Sequence, residues 1–324
     1  MTPTRQPLVS VIMPTYNHGR YIADAVHSIL NQTFGDFEIV VVDDGSTDDT
    51  PAILARVADP RLRVVRQENA GTPVARNRGR AEARGQYIAW LDSDDLWRPT
   101  FLERHLAVLE AEPELGFSFA NFVRFADGEL LPGTQFDLVP RLRQLPTRAA
   151  RGGGARVIEM DTFAALAPCP DVPGWMQASL YRRAAMEGCQ SRRGVRPAED
   201  LYLLLQIYAR GMPAAYLDEV LIEVRRHGKN SYNSGDQIRE AVLRTLHLVN
   251  ADIALSPTQR EILHRRIGDE YCRRGWRHFW SHDTGRARQY YTDSLAWPGT
   301  KVAALTHLAM LPFLPLLPRR EPVF

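Results

Sequence analysis

The chain has 324 residues, a formal net charge of +2, and 44% hydrophobic and 24% charged residues, which is ordinary for a globular protein. This length can bury a large core in one large domain or two smaller ones, and the small net charge gives no electrostatic reason to expect a nucleic acid as partner. Three cysteines without metal-type spacing predict a reducing compartment and no disulfide framework.

Short apolar runs alternate with helical patterns over the first hundred residues. This alternation predicts parallel βαβ units, and hence an α/β fold with a doubly wound, mostly parallel sheet flanked by helices. A capping-box-like pair, Ser46 and Asp49, predicts the start of the second helix. The predicted strands cover 8–13, 37–42, 62–65 and 86–91, and the predicted helices cover 21–30, 46–57 and 72–83.

Three of the predicted strands end in polar or acidic segments, at 14–17, 43–44 and 92–95. Ligands of doubly wound sheets bind outside the carboxyl ends of the strands, so these segments are expected to converge on one site. No dinucleotide-binding G-x-G-x-x-G follows the first strand, and no G-x-x-x-x-G-K-[ST] occurs in the chain. Both absences argue against a dinucleotide oxidoreductase and a P-loop enzyme.

The fourth strand ends in three carboxylates within four residues: Asp92, Asp94 and Asp95. Carboxylates this close repel one another unless a positive charge lies between them, and Mg²⁺ is commonly held by one or two carboxylates plus substrate phosphates. The alternative is a solvated acidic turn that caps the helix starting near Thr100.

Four segments, at 9–17, 41–48, 69–79 and 91–95, resemble the successive blocks of family 2 glycosyltransferases, in the same order and at similar intervals. They read VSVIMPTYN, VVDDGSTD, NAGTPVARNRG and LDSDD. The resemblance is firm from residue 8 to about 120 and fades beyond 235. It implies the GT-A fold, a nucleotide-diphospho-sugar donor, a divalent metal (Mn²⁺ or Mg²⁺) and transfer with inversion at the anomeric carbon.

The resemblance also implies roles for individual residues. Asp44 or its neighbour Asp43 would hydrogen-bond the base, and Arg76 would approach the base or the diphosphate. Asp94 is the favoured metal ligand, with Asp95 and Asp92 beside it. The remaining residues expected to bind the donor are Pro14, Thr15, Tyr16, Asn17, Asn69, Gly71 and Ser93.

A second acidic pair, Glu199 and Asp200, follows Pro197 at the predicted start of a helix. Acidic residues are common in a first helical turn for local reasons, because the macrodipole favours them. The pair also resembles the Glu-Asp block of the family, in which the Asp is the catalytic base. Asp200 is therefore predicted to be the base and Glu199 its neighbour.

Two other segments contribute weaker predictions. Arg226 and His227 lie in a basic loop after a predicted last strand (216–224), which in similar family members covers the diphosphate; a solvated loop is the alternative. An irregular segment at 132–154 is predicted to be a loop, and Asp127-Gly128 a hairpin turn. Trp175 is expected either to stack on an acceptor sugar or to fill the core.

Residues 1–235 are predicted to form the glycosyltransferase domain, and 236–324 a helical extension with an apolar tail. The tail is interrupted by prolines and is too short to span a membrane. It is predicted to dock on the helices or to touch a membrane surface beside Arg319 and Arg320. The expected location is cytoplasmic, with possible peripheral contact at the inner face of the membrane.

These patterns predict a metal-dependent inverting glycosyltransferase that acts in cell-surface polysaccharide, glycolipid or glycoprotein glycan synthesis. The expected acceptor is a glycan, a lipid-linked molecule or a protein. Two alternatives stay open: a nucleotide-sugar-binding relative without turnover, and a metal-dependent nucleotidyltransferase.

Overall fold

The structure is a computed structural model that describes residues 6–169, 171–228 and 235–316. The chain divides into two compact units, Met1–Gly235 and Asp236–Phe324. The first unit is built on a mixed sheet with helices against it, and the second is helical. The predicted fold class, a mostly parallel sheet flanked by helices with a helical C-terminal region, is confirmed.

The sheet of the first unit has the strand order β3-β2-β1-β4-β10-β6-β11-β9-β8, with β5 paired to β11 and β7 to β6. Strands β1 to β4 are mutually parallel where they pair, as is the β6–β11 pair, and β10 joins these two groups in antiparallel pairing. The strands are β1 (Val9–Thr15), β2 (Phe37–Asp43), β3 (Leu62–Arg66), β4 (Tyr87–Trp90), β5 (Leu96–Trp97), β6 (Phe117–Ala126), β7 (Glu129–Thr134), β8 (Thr147–Ala149), β9 (Arg156–Ile158), β10 (Ser179–Arg182) and β11 (Ala214–Arg225).

Six α-helices connect or cover these strands, and four more follow in the second unit of the described chain. Both faces of β1 and β2 are fully buried, which explains why these strands read as continuous apolar runs. The helices are α1 (Ile22–Leu30), α2 (Thr50–Leu54), α3 (Thr72–Glu82), α4 (Phe101–Ala111), α5 (Thr162–Leu166), α6 (Glu199–Ala209), α7 (Gly235–Asp252), α8 (Pro257–Trp280), α9 (Thr284–Ser294) and α10 (Lys301–Met310).

The second helix starts later than the capping-box pattern predicted. It begins at Thr50, because Ser46 is used elsewhere: its backbone N–H donates to Asp43 Oδ1 at 2.9 Å, and its Oγ accepts from the backbone N–H of Asn17 at 3.0 Å. The predicted helix start at Ser46 was therefore wrong. The side chains of Asp43 and Ser46 hold a loop instead.

The middle of the chain is more regular than predicted. The hairpin at Asp127-Gly128 is confirmed, since β6 and β7 pair in antiparallel fashion and both turn residues have positive φ. The segment predicted as one loop, 132–154, contains the end of β7, two 3₁₀ helices (Gln135–Leu138 and Pro140–Gln144) and β8. Elements of three to six residues are too short to show a period in the sequence.

Helix α3 lies unusually close to the sheet. A Cβ added at Gly79 would lie 2.3 Å from Ile12 Cγ2 on β1 and 3.2 Å from Val42 Cγ2 on β2. Only a glycine permits this approach. The close packing brings Arg76, one turn earlier on α3, over the carboxyl ends of the strands.

The helices of the second unit follow the predicted helical pattern. Asp283 caps α9 by accepting from the backbone N–H of Arg286 at 3.1 Å. The part of the tail that the structure describes packs through one side on α8 and α9, in a buried cluster of Phe279, Ala287, Tyr291, Ala304, Leu311 and Leu314.

The other side of the tail carries exposed apolar residues, with Val302 81% and Phe313 62% exposed. Within the ranges described, no helix is long and apolar enough to cross a membrane. The pair Arg319-Arg320 falls outside the described residues, so contact of the tail with a membrane surface stays a prediction.

Candidate functional site

A cavity of about 280 Å³ opens at the carboxyl ends of β1, β2 and β4, where ligands of doubly wound sheets bind. Its lining comes from strand ends, the start of α3, the start of α6 and the end of β11. The predicted site residues that line it are Pro14, Thr15, Tyr16, Asp44, Asn69, Gly71, Arg76, Asp92, Ser93, Asp94, Asp95, Glu199, Asp200 and Arg226.

The end of β1 supplies both an aromatic surface and an available hydroxyl. Tyr16 is 45% exposed, and Thr15 Oγ1 is buried without a hydrogen-bond partner in the described part of the chain. Asn17 does not line the cavity. Its Oδ1 accepts from the backbone N–H groups of Thr47 at 2.8 Å and Asp48 at 3.3 Å. Its contribution is therefore to hold the loop after β2.

The end of β2 separates the roles of the two adjacent aspartates. Asp43 faces its own loop and lies 3.6 Å from Arg66. Asp44 lines the cavity, and its carboxylate accepts from Gln67 Nε2, from the N–H of Ala70 and from the N–H of Gly71 at 2.8–2.9 Å. Asp44 thus shapes the cavity wall by holding the loop before α3.

The acidic segment after β4 forms a tight turn, in which the N–H of Asp95 donates to the carbonyl oxygen of Asp92 at 3.1 Å. It does not cap α4, because β5 intervenes. Asp95 accepts from the backbone N–H of Arg225 at 2.8 Å. Burial, together with the charges of Asp94 and Asp92, raises the pKa of the Asp95 carboxyl well above its usual range.

Asp94 is paired with a histidine from the loop after β11. The distance between Asp94 Oδ2 and His227 Nε2 is 2.9 Å. The imidazole of His227 stacks on the ring of Tyr21, with the centroids 4.7 Å apart, and the Arg225 guanidinium lies 5.0 Å from the same ring. His227 is therefore held in one orientation beside Asp94, although it does not line the cavity itself.

A buried arginine joins two carboxylates from distant parts of the chain. The Arg76 side chain is 5% exposed; it donates to Asp200 Oδ1, and its Nη2 lies 3.1 Å from Asp92 Oδ1. Burial lowers the pKa of the guanidinium, but Asp200, Asp92 and Glu199 outweigh it and raise the pKa overall. The carboxylates of Asp92 and Asp200 therefore share one permanently charged guanidinium.

Asp200 lies in the first turn of α6, and its side chain is 21% exposed. Burial raises its pKa; Arg76 acts in the opposite direction, and Asp92 and Glu199 add to the increase, to about 6. This carboxyl changes charge near neutral pH, as a general base must. Its neighbour Glu199 is buried, and its Oε2 has no hydrogen-bond partner among the residues described.

The cavity is rich in negative charge, with six carboxylates and three arginines in its lining. No group of three or more His, Cys, Asp or Glu side chains in the described ranges is arranged to hold a metal ion on its own. Asp94 and His227 nevertheless supply one carboxylate oxygen and one imidazole nitrogen side by side. This donor pair fits a divalent cation that takes its remaining ligands from substrate phosphates and water.

The predicted metal set is thus only partly consistent with the geometry. Asp92 pairs with the guanidinium of Arg76, and Asp95 accepts from a backbone N–H. Asp94 lies beside the imidazole of His227, and of these three partner groups only an imidazole can bind a metal when it is neutral. A divalent metal at this site stays a prediction.

Trp175 does not line the cavity. It is 9% exposed, donates from Nε1 to Asp171 Oδ1 at 3.1 Å, and packs against Phe119, Phe122 and Phe136. This environment is that of a core side chain, and it does not support stacking on an acceptor sugar.

Several lining residues were missed by sequence reasoning. His18 follows the predicted block directly, and its Nδ1 lies 2.7 Å from Ser93 Oγ, so its position in the sequence was a usable signal. Arg196 and Pro197 also line the cavity, and their positions just before the predicted acidic pair could likewise have indicated it. No pattern marked Gln177, which enters from a 3₁₀ helix (Met176–Ala178).

Two solved structures are similar to this chain over nearly its whole length. A crystal structure of S. aureus TarS in complex with UDP-GlcNAc matches with a TM-score of 0.64 and 20% identity, over 94% of this chain and 86% of that one. The mannosyltransferase PcManGT from Pyrobaculum calidifontis, in complex with GDP-Man and Mn²⁺, matches with a TM-score of 0.60 and 22% identity, over 97% and 82% of the two chains. At these identities the likeness establishes the fold, and it confirms the predicted GT-A class.

Relatives of higher sequence identity match about a third of the chain. A putative teichuronic acid biosynthesis glycosyltransferase from Bacillus subtilis is 46% identical over 120 residues, which are 36% of this chain and 47% of that protein. Chondroitin synthase from Escherichia coli is 46% identical over 104 residues, 32% of this chain and 15% of that one. The chain thus spans less than half the length of these relatives. The family model for glycosyl transferase family 2 matches residues 10–165, so this part of the chain is similar to that family.

Proposed function

We propose that this protein is an inverting glycosyltransferase that moves a sugar from a nucleotide-diphospho-sugar to a hydroxyl group of a growing glycan. The observation that carries the proposal is the convergence of Asp94, Arg76 and Asp200 on one cavity from three distant parts of the first unit. Relatives named for teichuronic acid biosynthesis and for chondroitin synthesis support a glycan as acceptor.

The nucleoside would bind at the ends of β1 and β2. The half-exposed ring of Tyr16 offers a face for the base, and Thr15 Oγ1 is a polar group without a partner in the described chain. Asp44 already accepts three hydrogen bonds, so its main contribution would be to fix the loop that carries Asn69 and Gly71 against the base.

The diphosphate would bind near Asp94 and His227. Because the cavity carries more carboxylates than arginines, a diphosphate can enter only with a compensating cation. A divalent cation on Asp94 and His227 would supply this charge and stabilise the leaving nucleoside diphosphate. Arg226, which lines the same cavity, would add a second positive charge there.

Asp200 would act as the base. As the acceptor oxygen attacks the anomeric carbon, its proton passes to the Asp200 carboxylate, and the bond between that carbon and the diphosphate oxygen breaks. Attack on the face opposite the leaving group gives inversion in one step. Arg76 would keep Asp200 ionised at neutral pH in spite of its burial, and the same guanidinium pairs with Asp92.

A thermal-shift panel of UDP-, GDP- and dTDP-sugars tests the donor and the metal together. One nucleotide-sugar is expected to raise the Tm with Mn²⁺ or Mg²⁺ and to raise it much less with EDTA, because a ligand that binds only the native state stabilises it by mass action. In the His227→Ala variant the metal-dependent part of the shift is expected to fall, while the unliganded Tm stays close to that of the wild type.

Two results would contradict the proposal: no shift with any nucleotide-sugar, or a full shift in EDTA. Consumption of a nucleoside triphosphate with release of pyrophosphate would instead indicate a nucleotidyltransferase.

The pH dependence of transfer should follow Asp200. Since its pKa is raised to about 6 and the base works only when deprotonated, the rate at saturating metal should rise about tenfold between about pH 5 and about pH 7 and then level off. The measurement is kcat/KM across this range. If kcat/KM does not change over this pH range, Asp200 is not the base.

A further inference from the structure

A second opening adjoins the cavity and differs from it in charge. One wall is the segment 68–73, which runs into the start of α3; the other wall is formed by Arg193, Gly194 and Arg196. Its volume is about 650 Å³, and it shares Asn69, Gly71 and Arg196 with the cavity that contains Asp200. We call this opening the arginine groove.

The segment that carries these arginines is anchored to the first unit. Asn77 on α3 makes two hydrogen bonds with the backbone of Ser191, at 2.8 and 2.9 Å. Val195 is fully buried, and its carbonyl oxygen accepts from the N–H of Ala198 at 2.8 Å. The arginines between these anchors are therefore presented from a fixed backbone.

The side chains that line the arginine groove carry a net positive charge, whereas those that line the adjoining cavity carry a net negative charge. The segment 189–198 contains Arg192, Arg193 and Arg196 and no acidic residue, and both Arg193 and Arg196 are exposed. Glu68 is the one acidic residue in the lining, as far as the described chain extends. Guanidinium groups at an open groove favour carboxylate or phosphate ligands, which they can bind by paired charged hydrogen bonds.

The position of the groove indicates which substrate would use it. In the proposed mechanism the donor diphosphate binds near Asp94, His227 and Arg226, none of which lines the groove. Arg196 lines both openings and Asp200 lines the cavity, so a molecule held in the groove can extend past Arg196 into the cavity that contains the proposed base.

We propose that the arginine groove binds an anionic group, a carboxylate or a phosphate, of the acceptor glycan, and so directs a nearby hydroxyl toward Asp200. This inference rests on the proposed glycosyltransferase function and specifies its acceptor as a negatively charged glycan. Arg193 is the residue that tests it, because it lines the groove but not the cavity.

The experiment measures binding of three oligosaccharide probes of equal length to the full chain with Mn²⁺, first without UDP and then with excess UDP. The probes are an oligogalacturonate, which carries carboxylates, a poly(glycerol phosphate) oligomer, which carries phosphodiesters, and a neutral maltooligosaccharide. The variant is Arg193→Glu. The control is Arg56→Glu, which makes the same change of charge at another exposed position of the first unit, outside both openings.

At least one anionic probe is expected to bind the wild type with a Kd at least about tenfold lower than that of the neutral probe, as charged hydrogen bonds would produce. Arg193→Glu should raise that Kd at least tenfold, while Arg56→Glu should leave it within about twofold. The probe that binds more tightly identifies the anion as carboxylate or phosphate. Both variants should keep the wild-type Tm and the wild-type shift with the nucleotide-sugar.

Three results would overturn the inference: no preference for either anionic probe, an equal loss of binding in both variants, or displacement of the anionic probe by excess UDP, which would place it in the donor site. Each of these leaves the proposed function intact if a nucleotide-sugar still raises the Tm with Mn²⁺. Loss of that shift in the wild type would instead refute the glycosyltransferase itself.

Discussion

Replacing Asp200 with Asn is expected to lower the rate of sugar transfer by about 10²- to 10⁴-fold, the range that a positioned general base contributes. Asn keeps the shape of the side chain but cannot take the proton of the acceptor hydroxyl. Because Asp200 lies on the acceptor side of the sugar in the proposed mechanism, binding of the donor should change little. The measurements are kcat for transfer and the thermal shift produced by the nucleotide-sugar with Mn²⁺.

Glu199→Gln provides the matched control, since Glu199 lies next to Asp200 in the same helical turn and lines the same cavity. If Asp200 is the base, Glu199→Gln should lower the rate of sugar transfer much less than Asp200→Asn does. If Asp200→Asn keeps more than about a tenth of wild-type activity, or if Glu199→Gln is the more damaging change, the assignment of the base is refuted.

The parallel half of the sheet could be predicted from the sequence because strands buried on both faces appear as uninterrupted apolar runs. This holds for β1 and β2, every residue of which is buried. The start of α2 could not be predicted in the same way. Ser46 and Asp49 have the spacing of a capping box, but Ser46 hydrogen-bonds to Asp43 and Asn17 instead, and the partner 29 residues away leaves no local signal.

In the candidate site, too, features marked by local sequence motifs could be predicted, whereas those set by residues far away in the sequence could not. The motif spacing predicted that the ends of three strands meet, and those ends do line one cavity. The separation of Asp44 from Asp43 depends on which carboxylate faces the loop before α3, which only the folded chain determines. Trp175 could not be assigned because its environment is built by aromatic residues 39 to 56 positions earlier, among them Phe119 and Phe136.

The contact between Arg76 and Asp200 is the part of the site that the sequence could not have revealed, since 124 residues separate the two side chains. It also changes what each residue can do. A carboxyl buried beside Asp92 and Glu199 would take up a proton at neutral pH, and Arg76 opposes this. Conversely, the arginine can be buried only because two carboxylates accept from it.

Replacing Arg76 with Met is therefore expected to destabilise the protein by about 3–5 kcal/mol, the cost of leaving buried charges without their partner. Met fills a similar length but provides no charge, so Asp92 and Asp200 would repel each other. The measurement is the free energy of unfolding from urea titrations followed by circular dichroism. Arg78→Met is the control, because Arg78 lies on the same helix, is 54% exposed and pairs only with Glu82 among the described residues; its loss should cost less than about 1 kcal/mol.

A double variant separates loss of the charge pair from simple loss of packing. If Arg76 stabilises the fold by neutralising Asp200, then Arg76→Met combined with Asp200→Asn should be less destabilised than the sum of the two single variants, with a coupling energy of about 1–3 kcal/mol. Additive effects would mean that Arg76 stabilises the fold through its packing alone. In that case it could not be the group that keeps Asp200 ionised, and the pH dependence expected of the base would need another origin.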